Sequence, residues 1–453
     1  MNSKNTKHKK TGWIVKSLII IFILSNVAIA TLTVVYFRAR SELQKAYGNN
    51  YKICSFSFQN YFSIYIVIGR GSYELAVWRA SDWRISQITT KDLAYFHQAP
   101  KNTIISLRWR NISQIPTVIG CIEKLSVLDL SNNKIVTVPQ QINQLRELQT
   151  LDLSGNQISS LCPNFYLSNI ETLDLSYNKL QTLPQSLYTQ KKLQYLNLQN
   201  NLFVALPDYL GKLEKLERLV LTNNNLQFLP EGFSQLSNLE RLTIKDNQLQ
   251  KLPINISQLQ NIISINLQGN ELTALPKNLS GMTKLTDLDL TENSLTSLPK
   301  DFGNLHNLRK LEICKNKLYT LPSHFGNLHS LYKADLSSNY LTTLPLEFGQ
   351  LKSLYRLNLS SNELKSLPSE FGSLTNLAFL DLSSNQLQVL PLEFGNLSSL
   401  KVLHLDNNKL QFLPQTIKNL PKLSQIYLID NNISLTEQDK IRKWLPNCEV
   451  VFD

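Results

Sequence analysis

Apolar residues recur along most of the chain in one phrase, L-x-x-L-x-L-x-x-N-x-L-x-x-L-P, of which residues 285–307 contain a complete copy. The asparagine of each copy lies 23 residues from the next, apart from one step of 22. These asparagines are Asn133, Asn156, Asn178, Asn201, Asn224, Asn247, Asn270, Asn293, Asn316, Asn339, Asn362, Asn385, Asn408 and Asn431. A constant period of this length predicts a solenoid, in which each repeat stacks on its neighbours.

The alternation of apolar and polar residues predicts one short strand in each repeat. Leu288 and Leu290 alternate with Asp287, Asp289 and Thr291, so the leucines should point inward and the polar residues outward. A single repeat cannot bury its leucines alone. We therefore expect an α/β solenoid with a curved parallel sheet on the concave side and short helical or irregular returns on the convex side.

Three further residue types within the phrase carry structural predictions. Asn293 follows the strand, where its amide can pair with backbone groups that would otherwise be buried without partners. Pro299 should stop further strand pairing, after which the chain returns along the outer side. The Phe-Gly pairs of the returns, such as Phe302-Gly303, predict a core anchor at phenylalanine and a close approach of the backbone at glycine.

The segment before the repeats predicts a membrane anchor. Residues 1–17 form a basic tail, and residues 18–37 are free of charge and long enough to cross a bilayer as a helix. The excess of lysines on the N-terminal side favours a signal-anchor with the tail in the cytoplasm and the repeats on the extracytoplasmic side, periplasmic or at the cell surface. A signal peptide cleaved after Ala30 is the alternative.

Residues 41–88 are rich in aromatic residues and unlike the repeats. Two apolar runs, residues 61–68 and 73–78, flank a four-residue turn at 69–72 and predict a β-hairpin. This juxtamembrane module could cover the first repeat, or it could offer an aromatic surface to a partner or to the membrane face. Residues 89–102 then predict a short helix that caps the solenoid.

The repeats occupy residues 103–435, about 15 in number. In the first repeat, which is degenerate, Ile105, Leu107 and Trp109 are the predicted strand. Residues 436–453 predict a closing helix and an edge strand.

Charge and cysteine content narrow the classes of partner. The formal net charge is +12, but residues 1–100 contribute +9 of it, so the repeats are close to neutral. A broad electrostatic footprint for nucleic acid is therefore missing, and we expect no nucleic-acid partner. The five cysteines are scattered, which argues against a disulfide framework or a zinc site.

Motifs for catalysis or for a bound cofactor are also missing from the sequence. His306 and His329 occupy equivalent positions one repeat apart, but duplication of the repeat explains this pair more simply than a metal site does. We therefore expect no enzyme activity, no cofactor and no metal.

The repeat units resemble those of leucine-rich repeat proteins with the consensus LPxxFGxLxxLxxLxLxxN. This group includes bacterial surface or envelope proteins, plant Ras-group-related repeat proteins and Ras-pathway scaffolds. The closing sequence IRKWLPNCEVVFD resembles the C-terminal cap of the bacterial members. The resemblance covers residues 89–453, and it implies a leucine-rich repeat solenoid that binds other proteins.

Two groups of outward-facing residues are candidates for binding a partner. The first lies where the acidic positions of the strands turn neutral, and it consists of Arg218, Arg241 and Lys245. The second is an aromatic and apolar patch near the C-terminus, and it consists of Phe379, Val402, His404, Tyr427 and Ile429. Arginine and aromatic clusters of this kind are favoured at binding hot spots.

The sequence thus predicts a single-pass membrane protein that binds an unknown protein ligand through its concave sheet. One alternative is a structural envelope or adhesion spacer without a dedicated ligand. The other is a GTPase-type signalling scaffold whose repeats face the cytoplasm. The sequence assigns neither the identity of the ligand nor an oligomeric state.

Overall fold

The computed structural model describes residues 52–57, 63–69, 72–76, 103–115 and 117–452. The chain divides into two compact units, Met1–Ile170 (unit 1) and Glu171–Asp453 (unit 2). The predicted membrane anchor at 18–37 and the predicted cap helix at 89–102 lie outside the described residues. Within those residues, no helix combines the length and the apolar character needed to cross a membrane.

Unit 1 contains a small antiparallel sheet in the region for which a hairpin is expected. Its strands, in the order β1-β2-β3, are β1 (Lys52–Ser57), β2 (Ser63–Gly69) and β3 (Ser72–Ala76). Gly69 pairs with Ser72, so β2 and β3 each extend one residue into the predicted turn. β1 was not predicted from the sequence, and it pairs along its whole length with β2.

The first repeats follow in the same unit as a parallel sheet. Its elements are β4 (Thr103–Ser106), η1 (Thr117–Cys121), β5 (Leu125–Asp129), η2 (Gln140–Gln144) and β6 (Thr150–Asp152), where η denotes a 3-10 helix. Ile105 and Leu107 are buried. The predicted strand extended to Trp109, but β4 ends at Ser106 and the Trp109 side chain is 70% exposed. Trp109 has a φ of 59°, so the backbone has already turned away from the strand direction there.

In unit 2 each strand is three residues long, and neighbours in sequence are hydrogen-bonded neighbours in a parallel sheet. The strands are β7 (Thr172–Asp174), β8 (Tyr195–Asn197), β9 (Arg218–Val220), β10 (Arg241–Thr243), β11 (Ser264–Asn266), β12 (Asp287–Asp289), β13 (Lys310–Glu312), β14 (Lys333–Asp335), β15 (Arg356–Asn358), β16 (Phe379–Asp381), β17 (Val402–His404), β18 (Gln425–Tyr427) and β19 (Glu449–Val451).

The returns of unit 2 contain short 3-10 helices rather than α-helices. They are η3 (Gln185–Thr189), η4 (Asp208–Lys212), η5 (Glu231–Gln235), η6 (Ile256–Gln258), η7 (Lys300–Asn304), η8 (Ser323–Asn327), η9 (Leu346–Gln350), η10 (Ser369–Ser373), η11 (Leu392–Asn396) and η12 (Gln415–Asn419). Pro299 immediately precedes η7 in an extended conformation, which ends the strand side of that repeat.

The repeated asparagine pairs with buried backbone groups, as predicted, and these bonds also join consecutive repeats. The Nδ2 of Asn293 donates to the carbonyl oxygens of Leu267 at 3.0 Å and Leu290 at 3.1 Å. Its Oδ1 accepts from the backbone N–H of Leu272 at 3.0 Å, and the side chain is buried. Since Leu267 and Leu272 belong to the preceding repeat, one amide satisfies buried backbone groups of two repeats.

The same bonding recurs at the equivalent asparagines. Asn201 and Asn408 are examples near the two ends of unit 2, and Asn156 shows the pattern in unit 1. Each asparagine therefore contributes both to its own turn and to the turn of the preceding repeat.

The phenylalanines of the returns form a stacked column in the core of unit 2. The column consists of Phe302, Phe325, Phe348, Phe371 and Phe394, all of which are fully buried. Adjacent rings are nearly parallel, with centroids 5.8 to 6.3 Å apart. A Cβ atom at Gly303 would fall on the carbonyl oxygen of His324, so only glycine fits there. Both predictions for the Phe-Gly pairs are therefore confirmed.

The C-terminal end of unit 2 carries a helix, α1 (Leu435–Trp444), and the strand β19. Ser434 caps the helix, because its side chain accepts a hydrogen bond from the backbone N–H of Glu437. Ile441 is buried on the inner side of the helix. β19 pairs in parallel with β18, so it is the last strand of the sheet.

We predict that Asn293→Ala lowers the free energy of unfolding by about 2–5 kcal/mol, because it leaves at least two buried backbone groups without partners, at about 1–3 kcal/mol each. Urea unfolding followed by circular dichroism measures the change. Asn304→Ala, an exposed asparagine in the same repeat, is the matched control. Equal stability of the two variants would contradict the role assigned to the repeated asparagine.

Candidate protein-interaction surface

Three outward-facing columns of side chains run across the strands of unit 2. The leading column precedes each strand by one residue, the first column begins each strand, and the third column ends it. At β12 these positions are Thr286, Asp287 and Asp289. The strands pair without offset, so residues 23 apart lie side by side at about 4.8 Å.

The fold itself uses the third column. The Oδ1 of Asp335 accepts from the backbone N–H of Ser337 at 3.0 Å and from its hydroxyl at 2.6 Å. Asn358, one repeat later, accepts in the same way from the N–H of Ser360. Because aspartate and asparagine both make this bond, the fold itself explains a side-chain acceptor at these positions.

The structure brings two of the three residues of the first predicted group together. Arg218 and Arg241 begin neighbouring strands, pair in register and are exposed. The guanidinium of Arg218 lies 5.3 Å from the centre of the Tyr195 ring. Lys245 lies beyond the end of β10, where its Nζ is 3.9 Å from a carboxylate oxygen of Asp246.

The second predicted group lies on the adjoining strands β16 to β18. Phe379 and Val402 pair in register, and the rings of His404 and Tyr427 stack with centroids 4.4 Å apart. The backbone N–H of Ile429 donates to Asp406 at 3.0 Å, which orders the end of the last repeat. All five residues of the predicted group are half-buried. Their role in binding a partner stays a prediction.

Sequence reasoning missed an aromatic row in the leading column. The rings of Tyr332 and Tyr355 stack with centroids 5.1 Å apart and an interplanar angle of 3°. Tyr355 meets Phe379 edge to face at 5.5 Å, and Arg356 lies 4.6 Å from the centre of the Phe379 ring. These residues immediately precede the strands and recur every 23 residues, and that spacing could have identified the row. They were not treated as outward-facing in the prediction.

Positive charge accompanies this aromatic row. Lys310, Lys333 and Arg356 begin successive strands and pair in register. The carboxylate of Glu312 lies 3.0 Å from the Nζ of Lys310 and 2.9 Å from that of Lys333. Burial raises the pKa of Glu312, but hydrogen bonds and charge from these two lysines outweigh it and hold the pKa below its ordinary value.

Other cations of the same surface have no such partner. In the part of the chain that the structure describes, no carboxylate forms an ion pair with Arg309, Arg356, Lys401 or Lys422. Their charge is therefore available to a ligand.

Two shallow depressions meet at Tyr332. The first has a volume of about 350 Å³ and is lined by Thr286, Asp287, Arg309, Lys310, Tyr332 and Lys333. The second has a volume of about 370 Å³ and is lined by Tyr332, Ser353, Tyr355, Asn376, Ala378, Ser399, Lys401 and Lys422. Tyr332 separates them, so a ligand that fills both must pass over its ring.

The side chains of this surface are not grouped in a way that would bind a metal ion. Among the described residues, no cluster of three or more histidine, cysteine, aspartate or glutamate side chains could hold a metal ion. His306 and His329 are both exposed, and the Nδ1 of His306 lies 3.3 Å from the carbonyl oxygen of Asn327. What this surface offers is cationic, aromatic and hydrogen-bonding contact.

The fold and this surface define a class of protein: a stack of short parallel strands that presents columns of side chains to other molecules. The leucine-rich repeat family model matches residues 104–158, 163–203, 191–249, 238–295, 260–318, 283–341, 329–387 and 391–433. The chain belongs to the leucine-rich repeat family, as the sequence predicted. Repeat proteins of this family are generally scaffolds for interaction rather than enzymes.

Solved structures share the same architecture. A leucine-rich repeat protein of Leptospira interrogans is 35% identical with a TM-score of 0.63, over 80% of this chain and 98% of that one. A plant peptide hormone receptor in complex with RGF2 is 28% identical with a TM-score of 0.57, over 72% of this chain and 60% of that one.

A third structure is the ectodomain of the Arabidopsis thaliana membrane receptor kinase GASSHO1, in complex with Casparian strip integrity factor 2. It is 28% identical with a TM-score of 0.56, over 75% of this chain and 45% of that one. A comparison with curated proteins gives no significant match.

We predict that Glu312→Gln destabilises the protein at neutral pH and that the difference from the unchanged protein disappears in acid. The pKa of Glu312 is lowered in the folded state, so its contribution is present above the ordinary pKa of glutamate and is lost as the pH falls through the lowered value. Urea unfolding midpoints across this pH range measure the difference. Glu363→Gln, at an exposed position, is the control, and an identical pH profile for both variants would contradict the prediction.

Proposed function

We propose that this protein is a membrane-anchored recognition protein that binds a protein ligand on the concave face of its repeat sheet. The observation that carries the proposal is that the outward columns of unit 2 have different roles. The aspartates and asparagines of the third column are occupied by hydrogen bonds within the fold, as at Asp335, and only at its C-terminal end does this column carry the rings of His404 and Tyr427. The leading and first columns instead present arginine, lysine and tyrosine side chains that the strands do not need.

The composition of this surface supports binding to a protein. Arginine and tyrosine are enriched among the residues that dominate binding energy at protein interfaces. The stacking of Tyr332 on Tyr355, and of His404 on Tyr427, holds four rings in place before a ligand arrives. Such preorganisation reduces the conformational entropy lost on binding.

The comparisons support the same class of function. The plant receptor structures at 28% identity are complexes, one of a peptide hormone receptor and one of a membrane receptor kinase ectodomain. Both come from proteins with a leucine-rich repeat fold. From these two complexes we infer only that the sheet of such a solenoid is suited to bind another polypeptide.

The sequence before the repeats supports the membrane anchor. Residues 18–37 hold no charge over a length that spans a bilayer, with a lysine-rich tail before them and arginines after them. In the proposed arrangement the tail lies in the cytoplasm and the repeats lie on the extracytoplasmic side, where a ligand would reach them.

We predict that the full-length protein remains with the membrane pellet after alkaline carbonate extraction. Leu24→Arg combined with Val27→Arg should release it, because each arginine near the middle of a membrane helix costs about 2.5–3.5 kcal/mol. Asn5→Arg with Thr6→Arg adds the same charge to the basic tail and should leave the protein in the pellet.

Cells that produce the full-length protein can also be used to determine its orientation and processing. Protease added to intact cells should digest the repeats, whereas protected repeats would favour a scaffold that faces the cytoplasm. A mature N-terminus at Thr31 would show a cleaved signal peptide instead of an anchor.

We predict that a protein ligand crosslinked to the full-length chain in its own cells is lost when the aromatic patch is removed. Phe379→Ala combined with Tyr427→Ala should reduce the crosslinked product at least tenfold, which corresponds to about 1.4 kcal/mol. Tyr319→Ala with Tyr340→Ala removes two exposed aromatic rings that lie away from the strands, stacked with centroids 5.5 Å apart, and serves as the control.

Arg218→Ala combined with Arg241→Ala tests the first predicted group in the same assay. A crosslinked product that survives all of these substitutions would contradict binding at the predicted groups. The absence of any specific product would favour the spacer function.

A further inference from the structure

We infer that the basic and aromatic surface of unit 2 binds an extended acidic peptide segment. This acidic-segment site consists of Arg309, Tyr332, Tyr355, Arg356, Lys401 and Lys422. The inference rests on the proposed function, because it names the chemistry of the ligand that the sheet would recognise.

The charge of the site favours an acidic partner. Arg309, Lys310 and Lys333 face the first depression, where Asp287 is the only carboxylate among the lining residues. That carboxylate accepts a hydrogen bond from the hydroxyl of Thr286 at 2.5 Å. Glu312, in the third column, is already held by two lysines.

The second depression carries Lys401 and Lys422 and has no acidic lining residue. Both lysines are exposed. Each depression therefore offers a net positive charge, and an acidic side chain of a ligand would be attracted to both.

The shape of the site favours an extended segment. Tyr332 lines both depressions, and Tyr355 stacks on it and lines the second. Ala378 follows them in the leading column, and its small, buried side chain leaves the space that becomes the second depression. A ligand that lies across the strands would thus place one acid on each side of an aromatic ridge.

The repeat spacing sets the distance between these acids. Arg309 precedes β13 and Lys401 precedes β17, so four strand steps of about 4.8 Å separate them, or about 19 Å. An extended peptide advances about 3.3 Å per residue, so acidic residues about six apart would reach both ends. An apolar or aromatic residue midway would lie on the tyrosine stack.

A peptide fits this site better than a nucleic acid. In the leading column two tyrosines separate Arg309 from Lys401, and in the first column Glu312 pairs with Lys310 and Lys333, whereas a phosphate backbone requires a continuous basic track. The third column beside the site also carries Asp335 and Asp381, which would repel such a backbone. An acidic peptide can keep its own charges away from that column.

The test measures fluorescence anisotropy of labelled synthetic peptides with the full-length protein. The matched probe is Glu-Glu-Ser-Phe-Ser-Ser-Glu-Glu, which places its acidic pairs six residues apart. We expect it to bind at least fivefold more tightly than a peptide of the same composition with the four glutamates contiguous. We expect no binding when glutamine replaces glutamate, and weaker binding as the salt concentration rises.

Substitutions at both ends of the site locate the binding. Arg309→Gln and Lys401→Gln should each weaken binding of the matched peptide at least fivefold, and the double variant should abolish it. Lys365→Gln removes one exposed positive charge elsewhere on unit 2 and should leave binding unchanged. Circular dichroism of each variant shows that the fold is retained.

Three outcomes would overturn the inference. They are equal binding of the spaced and contiguous peptides, equal loss in Lys365→Gln, and tighter binding of a single-stranded oligonucleotide at the same residues. The proposed function would survive such a result if a crosslinked protein still depended on Phe379 and Tyr427. Loss of that dependence, with the spaced peptide still bound, would leave the site intact and contradict the aromatic patch instead.

Discussion

The hydrogen bonds of the repeated asparagine are the interaction on which the structure of each unit depends. Asn293 donates to carbonyl oxygens of its own repeat and of the one before it, and it accepts from a backbone N–H of that earlier repeat. Leucines can fill a core in many registers, because apolar contact has no direction. The amide is directional, so it sets the distance and alignment at which one repeat meets the next.

That alignment creates the surface from which function is inferred. Because the strands of unit 2 pair without offset, each outward position becomes a continuous column of side chains. Asp335 and its equivalents end their strands with hydrogen bonds to the backbone two residues on, so one column belongs to the fold. The adjoining positions are free to vary, and there Tyr332, Tyr355 and Arg356 gather without any structural need for them.

Positions with the same residue type in every repeat could be predicted from the sequence, whereas variable or degenerate positions could not. The buried leucines, the asparagine and the stacked phenylalanines were identified, since each has the same neighbours in every repeat. Trp109 was misplaced, because the first repeat is degenerate and the backbone turns earlier there. β1 was not predicted because it lies outside the repeats, and the leading column was not predicted because its residue type varies from one repeat to the next.

The sequence by itself determined the family, the period, the residues of the core and the groups from which a binding surface could be chosen. Those features follow from local patterns, because every repeat supplies the same partners to the next one. Only the tertiary structure decided which outward side chains remain available. That outcome depends on contacts between repeats. Glu312 is held by Lys310 and Lys333, whereas Arg309 and Lys401 form no ion pair with a carboxylate among the described residues. Side chains 23 residues apart become neighbours only when the strands pair, so their shared chemistry is a property of the folded sheet.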